Sequence, residues 1–195
     1  MEPYDGMWAV PGDLVYPDED IEDAAKRILF ELTKIGDIEL HQSQTFGQPN
    51  RHPQGRVITT AYMALMRIED FKVEASSWAG DFRWVPIHEI SELAFDHNLI
   101  LNSTYELLKQ KLTQDPICFE LLPEKFTLNE MQQLYEYVTN TEMDKANFRK
   151  KVKSIPLIEH KEKQVNVKHR PAKLFSFDQD HYNNILETKD YRFKM

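Results

Sequence analysis

The residues best suited to do chemistry in this chain are Glu19, Arg27 and Glu31, within the segment Pro11–Ile35 (PGDLVYPDEDIEDAAKRILFELTKI). Carboxylates gathered on one helix can hold divalent cations, which neutralise a phosphate substrate and activate water. Spacing limits that chemistry here. Positions 28, 31 and 32 share one helix face, being three and four apart, but they hold Ile28, Glu31 and Leu32. A magnesium ion can be held by one or two carboxylates with water completing its shell. A multi-metal site cannot be built on one carboxylate and two aliphatic side chains. Ile28, Leu29 and Leu32 read instead as the apolar face of a helix packed on a sheet. Arg27 and Glu31 can pair along that helix, a contact worth a few tenths of a kcal/mol, about 0.2–0.5.

A second group of residues is cationic. Residues 1–119 hold 10 Lys or Arg against 20 Asp or Glu, whereas residues 120–195 hold 14 against 12, so the formal net charge of −8 hides an asymmetry. Lys145–Lys173 contains 10 basic residues against Glu159 and Glu162, with His160 and His169 besides. Such a patch can neutralise phosphates, or it can be a solvated surface that aids solubility. The lone Cys118 excludes an internal disulfide and reads as a buried thiol. Met1–Gly6 lacks the basic and apolar regions of a signal peptide. The longest apolar run, Ala61–Met66, is far short of a membrane span. These features point to a cytoplasmic protein.

The elements that must position these residues alternate in the first half. Met7–Val10 reads as a short strand, Ile21–Leu32 as an amphipathic helix with a break around Lys34–Asp37, and Ile38–Phe46 and Arg56–Ile68 as strands. The loop Gly47–Gly55 joins those strands. Phe82–Val85 reads as a short strand, Pro86 opens a helical stretch, and His97–Leu112 is a longer helix. Pro116 and Pro123 mark a boundary. Beyond it, Thr127 and Glu130 have the spacing of a capping box, and Leu128, Met131, Leu134, Tyr135 and Val138 form one apolar stripe. Asp144 is a second N-cap, opening a helix Lys145–Ile155 that buries Phe148, Val152 and Ile155 and ends at Pro156. At 100° per residue, Arg149, Lys150 and Lys153 point away from that core, with Asn147 alongside. Leu157–Glu159 and Ala172–Phe177 then read as strands flanking a basic loop.

Helix, short turn, cationic helix and basic hairpin follow the order of a winged helix-turn-helix, whose second helix enters the major groove while the wing reaches phosphates or the minor groove. Lys145, Asn147, Arg149, Lys150 and Lys153 are therefore the candidates on the recognition helix. Asn147 and Arg149 suit base edges and the lysines suit phosphates. Lys168, Arg170 and Lys173 are the candidates on the wing.

Pro11–Ile35 resembles the signature box of Nudix hydrolases, with Glu19, Arg27, Leu29, Glu31 and Ile35 in register and Gly12 beside them. Asp13 and Lys34 stand at its glycine positions, and Ile28 and Leu32 at two carboxylate positions. The chain as a whole resembles the Nudix-related transcriptional regulators. The segments that carry this likeness are FGQPNRHPQGRVITTAY, AFDH at Ala94–His97, LLPEKFTLNEMQQLYE, DKANFRKKV and RPAKLFSFD. The resemblance implies an α+β chain with two domains: a Nudix-like α/β/α sandwich with a mixed sheet over residues 1–115, and a winged helix over 116–195. Only ten residues precede Pro11, so the strands that Nudix domains place before the box are expected to be missing, leaving that domain N-terminally truncated. Loss of the box carboxylates looks most like the sugar-responsive branch, such as arabinose regulators, with branches sensing ADP-ribose or related nucleotides as the alternative.

The resemblance further implies a homodimer that binds operator DNA and a small-molecule effector, a sugar or an ADP-ribose-like compound. It calls for no catalytic residue, metal or cofactor. Trp8, Glu31, Phe46, Arg51, Arg56 and His97 lie on or beside elements that line a Nudix cleft and are the candidates for holding the effector. Two rival readings remain. One is a working pyrophosphohydrolase acting on nucleoside diphosphate derivatives through Glu19 and Glu31. The other is a metabolite-binding protein whose basic tail engages a protein partner.

Overall fold

A computed structural model describes residues 4–53, 55–70, 83–165, 170–188, 191 and 193–195. It divides into two compact units, Met1–Leu107 and Leu108–Met195. The division falls inside a continuous helix, ahead of the 115/116 boundary expected from the two prolines.

The first unit is built around helix α1 (Ile21–Thr33) and an antiparallel pair, β1 (Leu40–Phe46) and β2 (Thr59–Ala64). Asp20 caps α1 by accepting from the backbone N–H groups of Glu22 and Asp23, both at 2.9 Å, which satisfies two of the donors that a helix N-terminus leaves unpaired. The helix stops at Lys34, which is left-handed (φ 62°) and donates its N–H to the Phe30 carbonyl. Ala24, Leu32 and Thr33 are its buried residues, and α1 packs against β1. Along β2, Ala61 and Met63 alternate inward with the period of a strand. Phe46, Ala61 and Ile100 form a buried cluster.

Three expectations for this unit need correction. Residues 7–10 form no strand: the Ala94 N–H donates to the Trp8 carbonyl and the Val10 N–H donates to His97 Nδ1, so these backbone groups find single partners rather than a ladder. Arg83–Val85 is likewise irregular, and Phe82 lies outside the described residues. The helical stretch after Pro86 is a single 3₁₀ turn, Ile87–Glu89. Among the described residues, the strands of this unit form one antiparallel pair, β1 with β2.

Helix α2 (His97–Gln114) runs into a 3₁₀ turn at Pro116–Glu120. The second unit continues with α3 (Leu128–Thr139), α4 (Lys145–Val152), the hairpin β3 (Leu157–Lys163) and β4 (Lys173–Phe177), and α5 (Gln179–Thr188). The capping box forms at both bonds: the Glu130 N–H donates to Thr127 Oγ1, and the Thr127 N–H to Glu130 Oε2. Phe126 and Phe175 exchange backbone hydrogen bonds at 2.8 Å, adding a single bridge beside the hairpin. Tyr135 is fully buried, donates to the Leu112 carbonyl and meets Phe148 edge-on. Cys118 is buried beside it, and burial pushes its thiol up to about 12, which disfavours the reactive thiolate.

Candidate effector site and nucleic-acid interface

The remnants of the box are gathered by Arg27. Its Nε and Nη2 donate to the two carboxylate oxygens of Glu19 at 2.9 and 2.7 Å, its Nη1 to Glu31 at 3.2 Å, and its Nη2 also to the Leu14 carbonyl at 2.9 Å. The guanidinium lies over the Tyr16 ring, 3.9 Å from its centroid, and the Tyr16 N–H closes the loop onto Glu19. The hydrogen bonds from Arg27 and then from the Tyr16 N–H hold the Glu19 carboxyl below the usual range, and Glu19 in turn raises Arg27. Gly12 sits in the irregular run ahead of this clip.

A metal-activating box does not fit these residues. Leu32 is buried, Ile28 is half-buried, and both surviving carboxylates are engaged by a guanidinium. Among the described residues, no three His, Cys, Asp or Glu side chains cluster as metal ligands.

The other effector candidates separate into distinct roles. Phe46, at 3% exposure, sits in the buried cluster with Ala61 and Ile100. Arg51 has a 5%-exposed side chain that grips Asp96 bidentately at 2.8 and 2.6 Å and donates to Thr59, so it braces the turn before α2. His97 accepts from the Val10 N–H through Nδ1. Burial first, then the Arg51 and His52 charges, pushes His97 below its usual pKa, with Asp96 opposing. Phe95, also left-handed (φ 57°), contacts the rings of Tyr4, His52 and His97. Arg56 is exposed and donates to the Gly47 carbonyl. Trp8 is 37% exposed, with the guanidinium of Arg83 over its ring at 4.4 Å. Arg83 was not legible as a partner of Trp8, 75 positions away along the chain.

In the second unit, the turn between α3 and α4 is held by polar groups. Gln132 Nε2 donates to Glu136 at 2.9 Å and to the Met143 carbonyl at 2.8 Å, while the Met143 N–H donates to Glu136 at 2.9 Å. Those bonds lower the Glu136 carboxyl. Asp144 caps α4 by accepting from the Asn147 N–H. Phe148, Val152 and Ile155 are buried, and Lys145, Asn147, Arg149, Lys150, Lys151 and Lys153 are exposed. Among the described residues, no carboxylate forms an ion pair with any of these four α4 cations or with Lys153. Lys151 was missed in the sequence because it stands next to the apolar stripe.

The hairpin is less cationic than its composition suggests. Glu159 pairs with Lys173 at 2.6 Å and Glu162 with Lys125 at 2.7 Å. Lys173 is thus locally neutralised, because the antiparallel register brings β4 beside Glu159. Arg170 has a partner of its own, and Lys168 lies outside the described residues.

These features define a class: a Nudix domain with a dismantled metal box, followed by a winged helix-turn-helix. Residues 2–108 match the NUDIX domain and residues 118–177 match the NrtR DNA-binding winged helix domain. The chain belongs to the Nudix-related transcriptional regulators with an NrtR-type winged helix. It is 28% identical over 97% of its length, and 77% of the relative's, to the ADPR responsive transcriptional repressor NtrR of Acinetobacter baylyi. The crystal structure of Shewanella oneidensis NrtR complexed with a 27mer DNA matches with a TM-score of 0.74 and 28% identity, covering 96% of this chain and 84% of that one. An ADP-ribose pyrophosphatase of Methanocaldococcus jannaschii is 26% identical over 51% of this chain and 57% of its own. The expected likeness to a sugar-responsive branch is not borne out, since the relative spanning the chain is named for ADP-ribose.

Proposed function

We propose that this chain is a cytoplasmic transcriptional regulator whose Nudix domain binds ADP-ribose, or a closely related nucleoside diphosphate sugar, without hydrolysing it. Effector binding changes the affinity of the winged helix for operator DNA. The observation that carries this reading is the pairing of a box without its metal ligands with an exposed, unpaired cationic face on α4. On that face Asn147 and Arg149 read base edges, and Lys145, Lys150 and Lys153 contact phosphates. A homodimer would present two such helices to a two-fold operator. The effector acts only through unequal affinity for the DNA-competent and DNA-incompetent arrangements.

The test is a gel shift at controlled salt on DNA from upstream of the chain's own gene, titrated with ADP-ribose. Selective binding that ADP-ribose shifts supports the reading, and binding no tighter than to random DNA refutes it. Lys150→Ala should weaken binding to every sequence and reduce the slope against log salt by about one.

The likeness to a pyrophosphatase favours one rival, a weak hydrolase. Steady product release from ADP-ribose, lost in Glu31→Gln, would establish it.

A further inference from the structure

An ADP-ribose-like ligand brings a diphosphate carrying two negative charges, and residues 1–119 hold twice as many acidic as basic residues. Active enzymes of this fold meet such a group with metal ions held by the box, and this box does not suit them. The compensating charge has to come from a side chain with donors to spare.

The cations of the first unit can be sorted on that basis. Lys26 is paired with Glu22, Arg27 with Glu19 and Glu31, Arg51 with Asp96, and Arg67 with Glu69 and Asp70. Lys34 terminates α1, with its ammonium over Phe30. Among the described residues of this unit, Arg56 and Arg83 are the arginines no carboxylate engages. Arg56 spends a donor on the Gly47 carbonyl. Arg83 is braced by a ring instead: its guanidinium lies 4.4 Å from the centroid of Trp8. That contact uses the flat face and leaves the N–H edge available for bidentate hydrogen bonds to phosphate.

The backbone of Trp8 is tied down. Its carbonyl accepts from Ala94 at 2.8 Å, and two residues on Val10 is tied to His97 at 3.0 Å. The ring under the Arg83 guanidinium is thus carried by a backbone tied to the segment that leads into α2.

We infer that Arg83, stacked on Trp8, is the residue that binds the effector's diphosphate in place of a metal ion. This rests on the ADP-ribose reading above. Pre-orienting the guanidinium lowers the side-chain entropy lost on binding. Lysine at this position keeps the charge and loses the planar stacking and the fork of donors.

The experiment is calorimetric titration of the full chain with ADP-ribose, in magnesium and in EDTA, for the unaltered protein, Arg83→Ala, Arg83→Lys and Lys26→Ala. Thermal melting checks that each variant is folded. The expected result is equal affinity in magnesium and EDTA, with Arg83→Ala weakened about tenfold or more. Arg83→Lys should fall between, and Lys26→Ala, at an exposed cation paired with Glu22, should match the unaltered protein. Unchanged affinity in Arg83→Ala overturns the inference while leaving the effector reading intact, as does loss of binding in EDTA. Failure of the unaltered chain to bind ADP-ribose overturns the effector reading and this inference with it.

Discussion

Restoring a carboxylate to the box should destabilise this domain rather than restore an enzyme. Leu32 is 7% exposed on the face of α1 turned toward the sheet. Leu32→Glu removes about 2 kcal/mol of apolar burial. It also leaves an unpaired charge in the interior, which adds about 1–3 kcal/mol or more. A total on the order of 4 kcal/mol, in a unit of roughly 100 residues, corresponds to a fall in melting temperature of about 15 °C or more. Ile28→Glu, at a half-buried position where the longer side chain can reach water, should cost about 1 kcal/mol and a few degrees. Circular dichroism melts at pH 7.5 and pH 5 provide the assay. The carboxyl introduced by L32E would have its folded pKa raised by burial, so the penalty is full above that value and eases as pH falls through it. A melt of L32E within about two degrees of the unaltered protein would refute the packed-face reading. So would a magnesium-dependent rise in its melting temperature.

Asp96→Asn should cost about 3–5 kcal/mol in urea unfolding, because it leaves the guanidinium of Arg51 buried beside a neutral amide. Lys34→Gly should stabilise the chain by about 1 kcal/mol, since a left-handed φ of 62° penalises a residue with a Cβ; a lower melting temperature would count against this. His97 is held below its usual pKa, chiefly by burial. Its folded pKa lies below its unfolded one, so its contribution to stability is complete above about pH 6.5 and declines as pH falls toward the lowered value. Urea titrations at pH 7.5 and 5.5 measure this loss, and His97→Gln should flatten it.

The second unit was far more legible from sequence than the first. Thr127 with Glu130 and Asp144 with Asn147 announce two helix starts through bonds spanning only three residues, and the stripe Met131, Tyr135, Val138 identifies the buried face. Local chemistry of this kind can be read from a chain. α5 was not read because Tyr182 is its one buried residue, leaving little periodicity. In the first unit the deciding contacts are distant in sequence. Arg51 meets Asp96 across 45 positions and Val10 meets His97 across 87. The run Met7–Val10 has a strand's composition but no ladder partner among the described residues, and composition cannot supply one. Arg27 and Glu31 were legible as a helical pair, whereas the tighter grip on Glu19, eight residues back, was not.

The shortness of α4 sets how much a single copy can discriminate. Eight residues make a helix of about 12 Å, and it carries two side chains suited to base edges, Asn147 and Arg149. At about 1–3 kcal/mol for each correctly read base pair, one helix separates its site from others by a factor on the order of 10² to 10⁴. A genome offers about 10⁶ or more competing positions. One copy would be lost among them, while two copies at a fixed spacing multiply their ratios and reach the required odds. In the dimeric form proposed above, the address of this regulator would be written in the distance between two short words rather than in either word alone.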